Sequence, residues 1–286
     1  MFYISDALLD QLLLDDIQHG DLTSRALGIA RRNGEMTFKR KSAGRVSGIS
    51  VAERLLIKLN LQVEAQCRDG DDVDAGQTLL IAKGSADKLH QGWKVVQNVL
   101  EWSCGVAQYM AEMVAQARSV NGKVHIACTR KSIPGTKFLA IPSVIDGGGI
   151  LHRGGTAETI LLFANHRRFF PQPDNWQQQV ERLRLEAPEK KIIVEADTVD
   201  EALLALKAKP DIVQLDKFAL EDIQCVVQQG QKTVPDCLIS LAGGISKENV
   251  RQYASTGVSL LVTSSPYYAQ PTDIKVTLYP IDECVN

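Results

Sequence analysis

Lys191-Ile192-Ile193-Val194-Glu195 and Ile212-Val213-Gln214-Leu215-Asp216 are two short apolar runs, each ending in a carboxylate. Both have the length of a buried strand, and each precedes a segment with helical spacing. The same alternation covers residues 124–128, 159–163, 192–195, 212–215, 238–241 and 259–263. Strands that alternate with helices imply a parallel sheet, either closed toward a barrel or open and doubly wound. Periodicity does not choose between these. The placement of polar residues does: Thr129-Arg130-Lys131, Glu195, Asp216 and Gly243-Gly244 all fall at or just beyond the C-terminal end of an expected strand. A barrel gathers those ends on one face.

Upstream, Leu8, Leu9, Leu12, Leu13 and Ile17 recur at helical spacing behind Ser5 and Asp6, either of which can cap a first turn. Short β-type runs follow at residues 36–39, 46–49, 61–65 and 78–82, separated by polar turns such as Asp69-Gly70-Asp71. This first third reads as a small α+β domain. Residues 86–117 are helical in pattern, with Leu89, Trp93, Val96 and Leu100, then Val106, Met110, Met113 and Val114, on apolar faces around Gly105. That pattern predicts two helices bridging two domains.

The chain has 286 residues, is 44% hydrophobic and carries a formal charge of −2. It can bury a sizeable core, has no basic footprint for nucleic acid, and lacks the run of about 18 apolar residues needed to enter a membrane. The start, Met1-Phe2-Tyr3-Ile4-Ser5-Asp6, has no positively charged leader segment, so a cytoplasmic location is expected. Cys67, Cys104, Cys128, Cys225, Cys237 and Cys284 are scattered, without metal-ligand spacing, and are expected to be buried thiols.

Residues 129–166 concentrate the chemistry. Thr129-Arg130-Lys131-Ser132-Ile133-Pro134-Gly135, Gly147-Gly148-Gly149-Ile150-Leu151-His152-Arg153 and Asn165-His166 combine guanidinium, ammonium, imidazole and closely spaced glycines. Arg matches carboxylate or phosphate with two parallel donors, Lys supplies a point charge, and glycines let backbone N–H groups approach an anion. Glu195 and Asp216 at the same rim can hold ribose hydroxyls or a divalent ion, although strand-end charges also arise as ordinary ion pairs. Gly243-Gly244 leads toward a helix whose first amides would grip a phosphate, or forms a plain turn. A pyrophosphate-bearing sugar would use all of these groups, and its transfer needs charge balance rather than a protein nucleophile.

At these residues the chain resembles the quinolinate phosphoribosyltransferase family. Gly20-Asp21-Leu22-Thr23-Ser24, Asp69-Gly70-Asp71-Asp72-Val73-Asp74-Ala75-Gly76, Thr129 to Gly135, Gly147-Gly148-Gly149 with His152-Arg153, Asn165-His166, Val194-Glu195, Leu215-Asp216 and Gly243-Gly244-Ile245 stand in family order. The resemblance implies an N-terminal α/β sandwich (residues 1–104), an incomplete, seven-stranded α/β barrel (105–265) and a C-terminal segment returning to the first domain (266–286). It also implies a homodimer with composite active sites and Mg²⁺ used with phosphoribosyl pyrophosphate. By resemblance Arg130, His152, Arg153, Asn165 and His166 bind the acceptor, Lys131 the phosphoribosyl pyrophosphate, Glu195 and Asp216 its ribose and metal, and Gly243, Gly244 and Ser264 a phosphate.

Departures from the family pattern touch the acceptor. Lys94 stands where the family sends an Arg toward the partner's pocket, Phe163-Ala164 replaces Lys-Asp, Lys217 replaces Asn, and Ser264 replaces a glycine. Lys for Arg removes bidentate geometry, and Phe for Lys removes a charge. In these respects the chain resembles the ModD subgroup, pyrophosphorylase-like proteins linked to molybdenum transport. The expectation is a phosphoribosyltransferase acting on a heterocyclic carboxylate for which quinolinate is a poor choice. The competing reading is a non-catalytic ligand or oxyanion sensor on the same fold.

Overall fold

A computed structural model describes residues 3–281; Met1, Phe2 and Cys284 lie outside the described residues. In chain order the elements are α1 (Asp6–Leu14), α2 (Leu22–Ala26), β1 (Asn33–Arg40), β2 (Gly44–Arg45), α3 (Ile49–Lys58), β3 (Gln62–Ala65), β4 (Asp72–Val73), β5 (Thr78–Ser85) and α4 (Ala86–Arg118). There follow β6 (His125–Cys128), α5 (Lys137–Asp146), β7 (Ile150–Leu151), β8 (Ile160–Leu162), α6 (Ala164–Arg167), α7 (Trp176–Glu186), β9 (Ile192–Ala196) and α8 (Val199–Lys207). The chain closes with β10 (Ile212–Asp216), α9 (Leu220–Thr233), β11 (Leu238–Ala242), α10 (Val250–Ala254), β12 (Leu260–Thr263) and β13 (Ile274–Pro280). Two compact units result: one holds the chain through Ala111, Ile133–Gly148 and the chain from Tyr267, the other Glu112–Ser132 and Gly149–Pro266.

The first unit is built on an antiparallel sheet in the order β13-β1-β5-β3. Alternation along β1 turns Met36 and Phe38 into a core shared with Leu55 and Leu56 of α3, Leu79 and Leu80 of β5, and Leu89 and Leu100 of α4, all at 1% exposure or less. Burying each such side chain stabilises the fold by about 1.5 to 3 kcal/mol. β13 pairs with β1 from Gly34↔Pro280 to Arg40↔Ile274, so the end of the described chain completes the sheet that its beginning starts. α1 begins where the periodicity implied, with Ser5 Oγ accepting from Leu8 N and Leu9 and Leu13 turned inward.

Two local expectations are corrected. Residues 46–49 do not form a strand: the short strand is Gly44–Arg45, and Ile49 already begins α3. Gly48 at φ 86° turns the chain, and the Asp69 carboxylate accepts from Ile49 N (2.7 Å) and Ser50 N (3.2 Å), satisfying amides that a helix start leaves open. Nor do two helices meet at Gly105. α4 runs unbroken for 33 residues, and Gly105 is there because a Cβ would strike the backbone carbonyl of Gln270. A close approach, not a helix break, demands the glycine. The thiol expectation also changes in part: Cys104, Cys128 and Cys237 are buried, whereas Cys225 is exposed.

The second unit is an all-parallel sheet of seven strands in the order β7-β6-β12-β11-β10-β9-β8: the alternation and its polar ends implied a barrel, and the family resemblance an incomplete one. β9 pairs with β10 and β10 with β11 through Ile212↔Ile193, Gln214↔Glu195 and Ile212↔Leu238, Asp216↔Ala242. Their C-terminal ends therefore finish at one level. Within this sheet the one strand not anticipated is β7, two residues long inside the glycine-rich segment. Behind β8, the buried Arg167 guanidinium lies 3.8 Å from the Trp176 ring centroid and pairs with Glu201 at 3.2 Å, anchoring the turn that follows the strand. Among the described residues no helix is long and apolar enough to cross a membrane.

Candidate active site

At the C-terminal rim of the seven-stranded sheet lies a cavity of about 550 Å³ formed wholly by the second unit. β6 supplies its cationic wall. Thr129 N donates to Thr263 O (2.9 Å), which ties the end of β6 to β12, and Lys131 N donates to Thr129 Oγ1 (3.1 Å), which bends the chain so that Arg130 and Lys131 leave the strand facing the cavity. β7 is held in place by His152 N donating to Cys128 O (3.0 Å), and His152 and Arg153 follow it into the lining. Arg153 is 7% exposed, and its guanidinium stands 5.8 Å from the ring centroid of Phe163, which leaves the end of β8. The apolar ring thus takes a place in an otherwise cationic wall.

β9 and β10 bring carboxylates to the same cavity. Glu195 sits one residue before the end of β9 and Asp216 ends β10, and both line the cavity. Gln214 Nε2 donates to Glu195 Oε2 at 2.8 Å. Burial pushes the Glu195 carboxyl above the ordinary carboxylate range, the hydrogen bond from Gln214 works against that, and the Asp216 charge adds to it. Lys217 adopts the left-handed conformation at φ 58°, donates its N–H to Ala242 O (2.8 Å), and places Nζ 3.4 Å from Asp216 Oδ2. Gly243 at φ 91° passes so close that a Cβ would lie 2.9 Å from Asp216 Oδ1. That turn requires glycine on both counts.

Gly243, Gly244 and Ser264 line the cavity beside these residues. The helix after Gly244 starts later than the sequence suggested: Asn249 Nδ2 donates to Gly244 O (2.9 Å) and Asn249 Oδ1 accepts from Ser246 N (2.8 Å), so residues 245–249 form a turn before the five-residue α10. Phosphate-gripping amides from that helix are therefore not delivered at Gly244; the glycine turn itself meets the cavity. Thr263 Oγ1 donates to Ile245 O (2.6 Å) and accepts from Ser265 N (3.0 Å), which locks the two rim turns together around Ser264.

The model for the quinolinate phosphoribosyl transferase N-terminal domain matches residues 21–104, and that for the C-terminal domain matches residues 106–277. The chain belongs to the quinolinate phosphoribosyl transferase family. Enzymes of this family are pentosyltransferases of the pyrophosphorylase type, and this chain is one of them. It is 51% identical to ModD of Pasteurella multocida, a provisionally assigned pyrophosphorylase, over 97% of this chain and 99% of that one. ModD of Escherichia coli O157:H7 is 49% identical over 98% of this chain and 99% of the relative. A nicotinate-nucleotide pyrophosphorylase of Mycobacterium leprae is more distant, at 28% identity over 88% and 89% of the two chains. Among solved structures, NadC from Streptococcus pyogenes shares the fold with a TM-score of 0.88 at 23% identity, over 99% of this chain and 100% of that one. The nicotinate-nucleotide pyrophosphorylase of Francisella tularensis gives 0.87 at 23%, over 97% and 98%.

The cavity of this family member collects ten of the residues singled out in the sequence: Arg130, Lys131, His152, Arg153, Phe163, Glu195, Asp216, Gly243, Gly244 and Ser264. Three stand elsewhere. Asn165 accepts from Arg168 through Oδ1 (2.9 Å), and His166 accepts from Phe163 N through Nδ1 (3.1 Å) and stacks on the Phe163 ring at 5.7 Å, so both back the wall and do not line it. Lys94 belongs to the first unit, on α4, with Nζ 3.0 Å from Gln97 Oε1 and 4.6 Å from the Trp93 ring centroid. Gln214 was missed, although a signal existed. It precedes Asp216 by two residues, and a strand turns such residues to one face.

His152 offers a direct test of the cavity's dryness. Burial, with a smaller contribution from the Arg153 charge, pulls its imidazole down to about 4, and its Nε2 is buried without a partner. An ordinary imidazole titrates near about 6.5, so between the two values the folded chain binds fewer protons than the unfolded one. Stability contributed by this group should be full above pH ~6.5 and decline as pH falls toward about 4. A titration of the His152 ring followed by NMR should show a midpoint near 4; one near 6.5 would show a hydrated ring.

Proposed function

We propose that this enzyme transfers the phosphoribosyl group of phosphoribosyl pyrophosphate to a heterocyclic carboxylate other than quinolinate, with pyrophosphate leaving. The observation that carries this reading is the single cavity that sets Arg130, Lys131 and Arg153 against Glu195 and Asp216, with Phe163 among the cations. Lys131 meets the pyrophosphate, Gly243, Gly244 and Ser264 the terminal phosphate, and Glu195 and Asp216 the ribose hydroxyls. Arg130, His152 and Arg153 face the acceptor carboxylate, and Phe163 covers an apolar edge of its ring. Retention of both carboxylates favours an enzyme over a sensor, which has no use for a ribose subsite.

Departure of pyrophosphate leaves positive charge on the sugar, so the chain's task is to hold the acceptor nitrogen in line while cations balance the leaving group. Neutral His152 suits this arrangement, since it can exchange a hydrogen bond with a heterocycle without repelling the cationic sugar. Among the described residues no cluster of three or more His, Cys, Asp or Glu could cage a metal. Two rim carboxylates with substrate phosphates do fit Mg²⁺, which keeps most of its ligands as water and phosphate. When bound, Mg²⁺ would neutralise pyrophosphate charge beside Glu195 and Asp216.

The 51% identity to a ModD relative supports placing this chain in the ModD subgroup and, through it, in a molybdenum-transport context within the cytoplasm. A homodimer with composite sites is part of the same proposal, with Lys94 the cation offered to the partner; sedimentation at about twice 31.4 kDa checks it.

Titration calorimetry should show phosphoribosyl pyrophosphate binding only with Mg²⁺ present, and Lys131→Ala or Asp216→Ala should each weaken it by about 1.5 to 3 kcal/mol. Absence of binding by the wild type at millimolar donor would sink the enzyme reading. Quinolinate should be turned over poorly, because two altered contacts at Lys94 and Phe163 each remove roughly tenfold or more in affinity. The combined change Lys94→Arg, Phe163→Lys and Ala164→Asp should raise kcat/KM for quinolinate. A triple variant that gains nothing would show that these positions do not set the acceptor.

A further inference from the structure

Glu195, Gln214 and Ser240 form a row across the interior of the parallel sheet: Gln214 is in register with Glu195 on β9 and with Ser240 on β11. Residues in register on neighbouring strands share a face, and Asp216 lies two residues further along the same face of β10. Gln214 is 3% exposed and Ser240 0%, and the apolar Val213 and Leu215 that flank Gln214 are fully buried. Gln214 Oε1 and Ser240 Oγ are both buried with no hydrogen-bond partner. A polar side chain with an unpaired acceptor is less stable in such a place than an apolar one of equal volume. Folding therefore gives no reason for a glutamine here.

What the amide does supply is its 2.8 Å hydrogen bond to Glu195 Oε2. An ionised carboxylate only accepts, so the donor must be the amide nitrogen, and this fixes which way the Gln214 head group points. One carboxylate oxygen is thereby held, and Glu195 meets the cavity in a single setting. Lys131 lines the same cavity and its charge acts on Glu195. Without Gln214 that carboxylate oxygen loses the hydrogen bond that holds it.

We propose that Gln214 is a positioning residue that presents Glu195 to the hydroxyl groups of a phosphoribosyl ligand and so makes the cavity selective for ribose over deoxyribose. The inference rests on the phosphoribosyl reading above and adds to it a residue that acts through Glu195. A carboxylate already held in place loses less freedom when it accepts from a hydroxyl, so the discrimination belongs to the Gln214–Glu195 pair rather than to Glu195 alone.

The probes are ribose 5-phosphate, 2-deoxyribose 5-phosphate and inorganic pyrophosphate, titrated calorimetrically into the full chain and into Gln214→Met. Wild type should prefer the ribose compound by at least about tenfold, the worth of one charge-assisted hydrogen bond. In Gln214→Met that preference should shrink to within about threefold, with pyrophosphate affinity kept within about twofold. The melting temperature should be unchanged or higher, because the volume is kept and the unpaired acceptor is gone. Should the Met variant fail to fold, Gln214→Asn retains the amide but is one methylene too short to reach Glu195, and the same loss is expected. A wild type that binds ribose 5-phosphate yet shows no preference, or a folded variant that keeps it, overturns the role of Gln214 while leaving the phosphoribosyl reading standing. A wild type that binds neither sugar phosphate nor pyrophosphate overturns both.

Discussion

Parallel pairing in a fixed register is the constraint on which the rest of this molecule depends. Because β9, β10 and β11 run in one direction and finish at one level, the residues that end them are brought together without any long-range contact chosen for that purpose. Glu195, Asp216 and the Gly243-Gly244 turn come from points some 20 to 50 residues apart in the chain and line one cavity. The ladder does the assembling, and only the identity of the terminal residues is left to determine the chemistry.

That division explains how much could be read from the sequence. Strand positions were legible because apolar runs of strand length alternate with helical segments. Arg130, Lys131, Glu195, Asp216, Gly243 and Gly244 were legible because they end those runs or sit just past them, whereas His152 and Arg153 stood out by the glycine-rich cluster before them and Phe163 and Ser264 by the family resemblance. What escaped was decided by contacts between distant segments. Gly105 looks like a helix break until Gln270 is found against it. Residues 46–49 look like a strand until Asp69 is found capping Ile49 and Ser50. The apparent helix start after Gly244 gives way to a turn because Asn249 folds back onto Gly244 and Ser246. Asn165 and His166 share their neighbourhood in sequence with cavity residues, but a four-residue helix turns them to the back of Phe163.

The electrostatics of the cavity follow from the same geometry. Arg130, Lys131, His152 and Arg153 enter from the ends of β6 and β7 and the carboxylates from β9 and β10, while Lys217 pairs with Asp216 beside it at the end of β10. Burial then acts on each according to its own sign: Glu195 rises, while His152 and Arg153 fall. The hydrogen bond from Gln214 works against the first of these shifts.

The sheet does not close on itself, and β7 and β8 are its two edges. They are also its shortest strands, two and three residues long, and they lead into His152, Arg153 and Phe163, three of the four residues proposed to meet the acceptor; the fourth, Arg130, follows β6. Glu195 and Asp216 stand on strands with a neighbour on each side. A substitution or a small insertion at an edge disturbs one ladder at most, whereas a change at the centre disturbs two. Mechanical constraint is therefore unequal around the rim: the edges that lead into His152, Arg153 and Phe163 are held by one ladder each, and the strands that carry Glu195 and Asp216 by two. A change at either edge can thus alter one side of the cavity while the paired centre of the sheet keeps its register.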